Sequence, residues 1–156
     1  MDAGDLGMSG VRAERPIERI DGIFLDALDP VLTEQGWGTL RKNQSVWEKP
    51  IIIAGIPYAR GLGTHAPSRI VFDLGGKYRR FQAWAGADSA TGPSVMFEVR
   101  VDGNTRWTSN LMQRNAPAQQ VDVDVAGARK LELIVNDGGN GIAADHADWA
   151  EARLLR

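Results

Sequence analysis

The sequence predicts an all-β domain, an antiparallel β-sandwich of the jelly-roll kind. From Ile20 onward the apolar residues come in short runs cut by Gly, Pro, Asn and Asp, and several of these runs alternate apolar with polar. No window sustains a 3.6-residue apolar period, so the helices that join parallel strands are missing from the pattern. Short alternating strands with turn signals between them bury their apolar faces by packing two antiparallel sheets together.

Eight strands are predicted, at 23–28, 68–74, 79–86, 94–102, 105–109, 120–125, 130–136 and 149–155. In S-V-M-F-E-V-R-V-D, Val95, Phe97, Val99 and Val101 face one way while Met96, Glu98 and Arg100 face the other, the pattern of a strand with one wet face. Asp102-Gly103-Asn104 is a hairpin signal leading into the next strand. Phe81, Ala83 and Ala85 share a face with Trp84 opposite, and Leu131, Leu133 and Val135 repeat the period. Residues 1–19 combine glycines with scattered charge and no apolar period, which reads as a tail or linker before a domain at 20–156.

Composition narrows the function. The chain has 156 residues, 43% of them apolar and 24% charged, which suits one domain with one core. Eighteen basic residues stand against twenty acidic ones, so there is no broad positive field for nucleic acid or anionic lipid. No run is long and apolar enough for membrane insertion, and the first twenty residues lack the apolar core of a signal peptide. The domain is therefore expected either to belong to a longer secreted chain or to work inside a cell. With no cysteine, disulfides, thiolate metal sites and cysteine nucleophiles all drop out.

Catalytic frames are absent. There is no G-x-S-x-G, and two histidines in all cannot make a three-histidine zinc site. D-V-D-V-A-G at 122–127 departs from a calcium loop at Ala126 and has the period of an exposed-face strand. G-L-G-T-H at 61–65 lacks the lysine and following helix of a phosphate loop. Asp145 and Asp148, three residues apart beside His146, keep open a glycosidase with its acid and base among Asp88, Asp145 and Asp148. A protein-binding or purely architectural sandwich is the other alternative.

Aromatic residues carry more. Most of the five tryptophans should be core, Trp149 among them. Trp37, between two glycines, and Trp47, in the loop-like S-V-W-E-K-P, are harder to bury and are the better surface platforms. A ring offers an apolar face to a sugar while nearby Asp, Asn, His or Arg groups bond its hydroxyls.

The segments G-W-G-T-L-R-K-N-Q-S-V (36–46), Y-A-R-G-L-G-T-H-A-P-S (58–68), I-V-F-D-L-G-G-K-Y-R-R-F-Q-A-W-A-G-A-D (70–88), S-V-M-F-E-V-R-V-D-G (94–103) and D-H-A-D-W-A-E-A-R-L (145–154) follow one another in a familiar order. Together they resemble the NPCBM domain, grouped with the family 51 carbohydrate-binding modules, over about Ile23 to Leu154. The resemblance implies a galactose-binding-domain-like sandwich that is not an enzyme. It further implies a module that binds galactose-type glycans, is appended to a catalytic domain of a glycoside hydrolase, and works in an extracellular or periplasmic location. Related sandwiches often hold a structural calcium ion. Trp47-Glu48-Lys49 stands where the family pattern would have a glycine-containing turn.

The expected sugar pocket is drawn from Trp37, Gln44, His65, Asp88, Asp145 and His146. Asp88, Asp137, Asn140, Asp145 and Asp148 are hard oxygen ligands suited to Ca2+, with ordinary turn and capping bonds as the alternative. His146 and Asp148 are also read as a possible lining of a sugar pocket with His65. The last strand is expected to begin near Trp149, after a glycine-rich loop.

Overall fold

Which face a strand buries follows from its alternation, and the computed structural model, which describes residues 21–89, 94–137 and 145–156, sorts the alternating runs into two packed sheets. One sheet orders β11 (Gln119–Asp124), β8 (Arg80–Ala87), β13 (His146–Leu155), β6 (Gly61–His65) and β3 (Arg41–Lys42), with β1 (Gly22–Phe24) also paired to β13. The other orders β10 (Asn104–Thr108), β9 (Met96–Val101), β12 (Lys130–Asn136), β7 (Ser68–Asp73) and β2 (Leu32–Gln35). A small hairpin of β4 (Ile51–Ile53) and β5 (Ile56–Tyr58) stands apart. Every pairing with a register is antiparallel.

The core lies between the sheets. Phe81, Ala83, Ala85 and Ala87 of β8 meet Phe97, Val99 and Val101 of β9 and Leu131, Leu133 and Val135 of β12 in one buried cluster. Trp149 is wholly buried there, edge-on to Phe97 with ring centroids 5.1 Å apart and tilted to Phe81 at 6.4 Å. Edge-to-face rings add to the large area that an indole removes from water. The D-G-N turn is as expected: Asp102 (φ 49°) and Gly103 (φ 83°) both take positive φ between β9 and β10, the geometry that matches the twist of a tight hairpin.

β13 organises its sheet. From His146 to Ala150 it pairs with β6 and β8, with Ala147 and Trp149 facing the core. The register shifts between Ala150 and Arg153, and Glu151 takes φ 53° and donates its N–H to the Arg60 carbonyl. After this bulge the inward residues are Ala152 and Leu154, and the strand's flank passes from β6 to β1. One extra residue therefore changes both the parity and the partner of the strand.

The sequence-based strands differ from this in two ways. The run at 23–28 is a short β1 followed by a 3-10 turn at Leu25–Ala27. Strands β2 to β6, each of two to five residues, are too short to show a period, and β6 reads in sequence as a glycine-rich loop. The predicted tail at 1–19 lies outside the described residues.

The outer face of the β13 sheet is not left to solvent. Ile51, Ile53 and Tyr58 of the hairpin pack on Ala150 and Trp84, so Trp84 covers the face opposite Phe81, as its phase predicts. A Cβ on Gly86 would meet the Ile53 side chain at 2.4 Å, and one on Gly63 would meet the Gln44 carbonyl oxygen at 2.2 Å. Segments 43–49 and 51–58 thus form a third layer, seated where the strands beneath carry glycine.

Candidate functional site

The third layer stops short of one end of the sheet, and the unusual polar residues lie there. β6 places Leu62 and Thr64 inward, which leaves Gly61, Gly63 and His65 on the outer face. β13 likewise leaves His146, Asp148 and Ala150 outward. His65 and His146 are register partners, and Asp88, one residue beyond β8, donates its N–H to the His146 carbonyl at 3.1 Å. His65, His146 and Asp88 therefore stand side by side across the sheet. The neighbouring row is Gly63, Asp148 and Gly86.

Two exposed indoles flank the imidazoles. Ring centroids run Trp37 to His65 at 6.0 Å, His65 to His146 at 5.4 Å, and His146 to Trp47 at 4.7 Å, the last pair edge-on. Trp37 and Trp47 are 52% and 50% exposed, while His65 and His146 are 4% and 1% exposed. The arrangement is a polar floor with an apolar wall at each end, which is the chemistry of a small-ligand pocket.

Local structure holds the walls. Trp37 follows Gly36, whose N–H bonds the His65 carbonyl and whose missing side chain leaves room for the Ala66 carbonyl oxygen, 2.5 Å from where a Cβ would stand. Trp47 rides on a tight loop closed by Ser45 N–H to the Lys49 carbonyl and Glu48 N–H to the Ser45 carbonyl. Glu48 takes φ 63°, the conformation that a glycine there would adopt freely. Its carboxylate pairs with Arg41 at 3.1 Å. The loop is thus built without the expected glycine.

The floor is electrostatically distinct. His65 Nδ1 lies 2.6 Å from the Ala66 carbonyl oxygen; because a carbonyl only accepts, Nδ1 carries a proton, and Nε2 is the ring nitrogen left to meet a ligand. Burial, then the nearby His65, lowers the His146 pKa, and Asp88 partly opposes this. His146 is therefore a neutral imidazole at neutral pH, and its Nδ1 is buried without a hydrogen-bond partner among the described residues. Asp145 is fully buried, and the Ser94 backbone N–H is the hydrogen-bond donor that favours its ionised form. Burial is the main cause raising its pKa, opposed by His65 and reinforced by Asp137.

Of the residues expected from sequence, Trp37, His65, His146 and Asp88 come together, with Asp145 adjoining them just before β13. The Gln44 side chain is exposed, and its carbonyl oxygen covers Gly63. Asp148 is fully buried, one row further beneath the third layer than His146. β13 begins at His146 rather than near Trp149, so H-A-D-W is strand and not loop. Asn140 lies outside the described residues. Among the described residues, Asp88 and Asp145 lie at the same sheet end as the imidazoles and Asp148 lies one row beneath them. Trp47 was legible as an exposed ring, but only its contact with His146 puts it in the site. Arg41 gave no sequence signal.

An antiparallel β-sandwich with two exposed indoles around two buried imidazoles at one sheet end is the kind of fold and surface on which carbohydrate-binding modules are built. The chain belongs to the NPCBM/NEW2 domain family, whose model matches residues 21–155. It is similar to the CBM51 module of a Clostridium perfringens GH95 protein, solved with methyl-galactose, at 33% identity and TM-score 0.81 over 86% of this chain and 99% of that one. A C. perfringens ZmpB structure containing CBM51-2 with GlcNAc matches at 31% identity and TM-score 0.80, over 84% of this chain and 30% of that one. The Akkermansia muciniphila Alpha-1,3-galactosidase B is 34% identical over 127 residues, 78% of this chain and 16% of that protein. The chain spans 8% and 16% of the lengths of the two curated relatives it matches.

Proposed function

We propose that this domain binds the terminal galactose-type residue of a glycan in the pocket between Trp37 and Trp47, and that it holds a glycoside hydrolase catalytic domain of the same chain near its substrate. The observation that carries this reading is the line of four rings, two exposed indoles around two buried imidazoles, beside the carboxyl group of Asp145. A pyranose has apolar C–H faces for the indoles and hydroxyls to hydrogen-bond with His65 Nε2 and Asp145. The related module solved with methyl-galactose supports the sugar class. An extracellular location belongs to the same proposal, since that is where such glycans are met. Linkage to a catalytic domain raises the effective concentration at the polymer, so weak single-site affinity suffices.

Isothermal titration of the chain with methyl-galactoside, lactose and GlcNAc, in calcium and in chelator, tests the reading. Saturable galactoside binding that Trp47→Ala abolishes supports it; no heat from any sugar in either buffer overturns it. Calcium is proposed as a structural ion only, and galactoside binding lost in chelator and restored by calcium is the result that would establish it.

A further inference from the structure

Trp47 reaches the pocket from a loop, and the direction in which that loop leaves β3 is set at Asn43. The register of β3 and β6 pairs Arg41 with Gly63 and Lys42 with Leu62, which makes Gly61 the next partner of Asn43. Asn43 turns away instead: it takes φ 64°, a left-handed conformation that asparagine tolerates better than most side chains. The pairing goes on through its side chain. Asn43 donates its N–H to the Gly61 carbonyl at 2.7 Å and accepts the Gly61 N–H on Oδ1 at 3.0 Å, so the amide oxygen stands in for the main-chain carbonyl that would have completed the rung. The chain reverses without losing that rung, and Gln44 and Ser45 fold back over Gly63.

The nitrogen of the same amide is braced from a third segment. Asn43 Nδ2 donates to Asp26 Oδ2 at 3.2 Å, and Asp26 sits in the 3-10 turn after β1. Arg60 grips both carboxylate oxygens of Asp26, Nε to Oδ1 at 3.2 Å and Nη2 to Oδ2 at 2.9 Å, while its guanidinium lies 4.0 Å from the Phe24 ring centroid. A two-point grip of this kind fixes the carboxylate in orientation as well as in place. Asn43 is at the surface, where one side-chain bond alone contributes little, but its amide is held at both ends by two different segments. We propose that Asn43 is a positioning residue for the sugar site: its amide, braced by Asp26 and Arg60, fixes the reversal at the end of β3 and so fixes where Trp47 stands, 4.7 Å from His146. The inference rests on the reading of the four-ring line as the sugar site, and Asn43 itself touches no sugar.

Exchanging the two groups separates positioning from plain stability. Asn43→Gly keeps the left-handed turn and removes the amide. Asn43→Asp keeps the turn and the acceptor for Gly61 but sets a second carboxylate against Asp26, and combining it with Asp26→Asn returns a donor and an acceptor to the two positions. Each folded variant is titrated with methyl-galactoside. The Trp47 indole N–H is followed by NMR, assigned by its loss in Trp47→Ala, with the Trp149 indole N–H reporting on the core. The expected result is a loss of about fivefold or more in affinity for Asn43→Gly and for Asn43→Asp, with the Trp47 signal displaced and the Trp149 signal in place, and recovery to within about twofold of native in the double variant. A folded Asn43→Gly chain with native affinity and a native Trp47 signal refutes the role even if its Tm is lower, because Asn43 then only stabilises. A double variant no better than Asn43→Asp refutes the brace. Should the native chain bind no sugar, the pocket reading fails by itself, and the Trp47 signal still decides whether Asn43 positions the loop.

Discussion

Gly63→Ala tests whether segment 43–49, and with it Trp47, is seated on β6. The backbone at Gly63 is not in the left-handed region, so alanine brings no conformational penalty of its own; its Cβ would lie 2.2 Å from the Gln44 carbonyl oxygen and 2.7 Å from the Ser45 Cα. Ordinary contact needs about 3.2 Å or more, so the segment must lift by about 1 Å. Overpacking of this kind costs about 2 kcal/mol, which for a domain of this size lowers Tm by about 6–8 °C. Because Trp47 stands three residues along and meets His146 at 4.7 Å, the same lift should weaken galactoside binding about tenfold. Gly103→Ala is the control: nothing lies within 4 Å of its Cβ, but its φ is 83°, so it should lose about 1 kcal/mol of stability and no affinity. Thermal melts and titration calorimetry read both effects. A Gly63→Ala chain with native Tm and native affinity would refute the three-layer account of this face.

Trp47→Ala and Trp37→Ala should each reduce galactoside affinity, Trp47 the more because its ring lies closer to its imidazole, while the melts of both stay within about 2 °C of native, since half-exposed rings bury little area. Trp149→Ala should cost about 3–5 kcal/mol by emptying the core between Phe81 and Phe97, seen as a large fall in the urea midpoint. The folded-state pKa of Asp148 is raised, so the folded chain keeps a proton that the unfolded chain releases: stability should fall as pH rises from the ordinary carboxylate value of 3.8 toward the raised one, by up to about 1.4 kcal/mol per pH unit. Urea melts across that window should show this slope reduced in Asp148→Asn. The folded-state pKa of His146 is lowered, so galactoside affinity should be flat through neutral pH and fall only below the ordinary histidine range; an affinity that drops between pH 8 and 7 would contradict a neutral His146.

The sequence by itself determined the fold class and the long strands, and it singled out several residues that the candidate site brings together. Val95, Phe97, Val99 and Val101, or Phe81, Ala83 and Ala85, announce their buried face because side-chain direction in a strand is a local, period-two property, and Asp102-Gly103 announces its turn because both residues tolerate positive φ. Trp37, His65, Asp88, Asp145 and His146 stood out by residue type before their neighbours were known. Only the tertiary structure decided what depends on pairing. Register between β6 and β13 sets His65 beside His146, and no property of either segment alone fixes that register. The bulge at Glu151 changes strand parity in a run that reads in sequence as continuous strand. The loop at 43–49 becomes a lid because Gly63, on another strand, leaves it room. Asp148, which in sequence reads like its neighbours, lies fully buried under the third layer, since exposure belongs to the packed layers above a residue and is not encoded in its own stretch of chain.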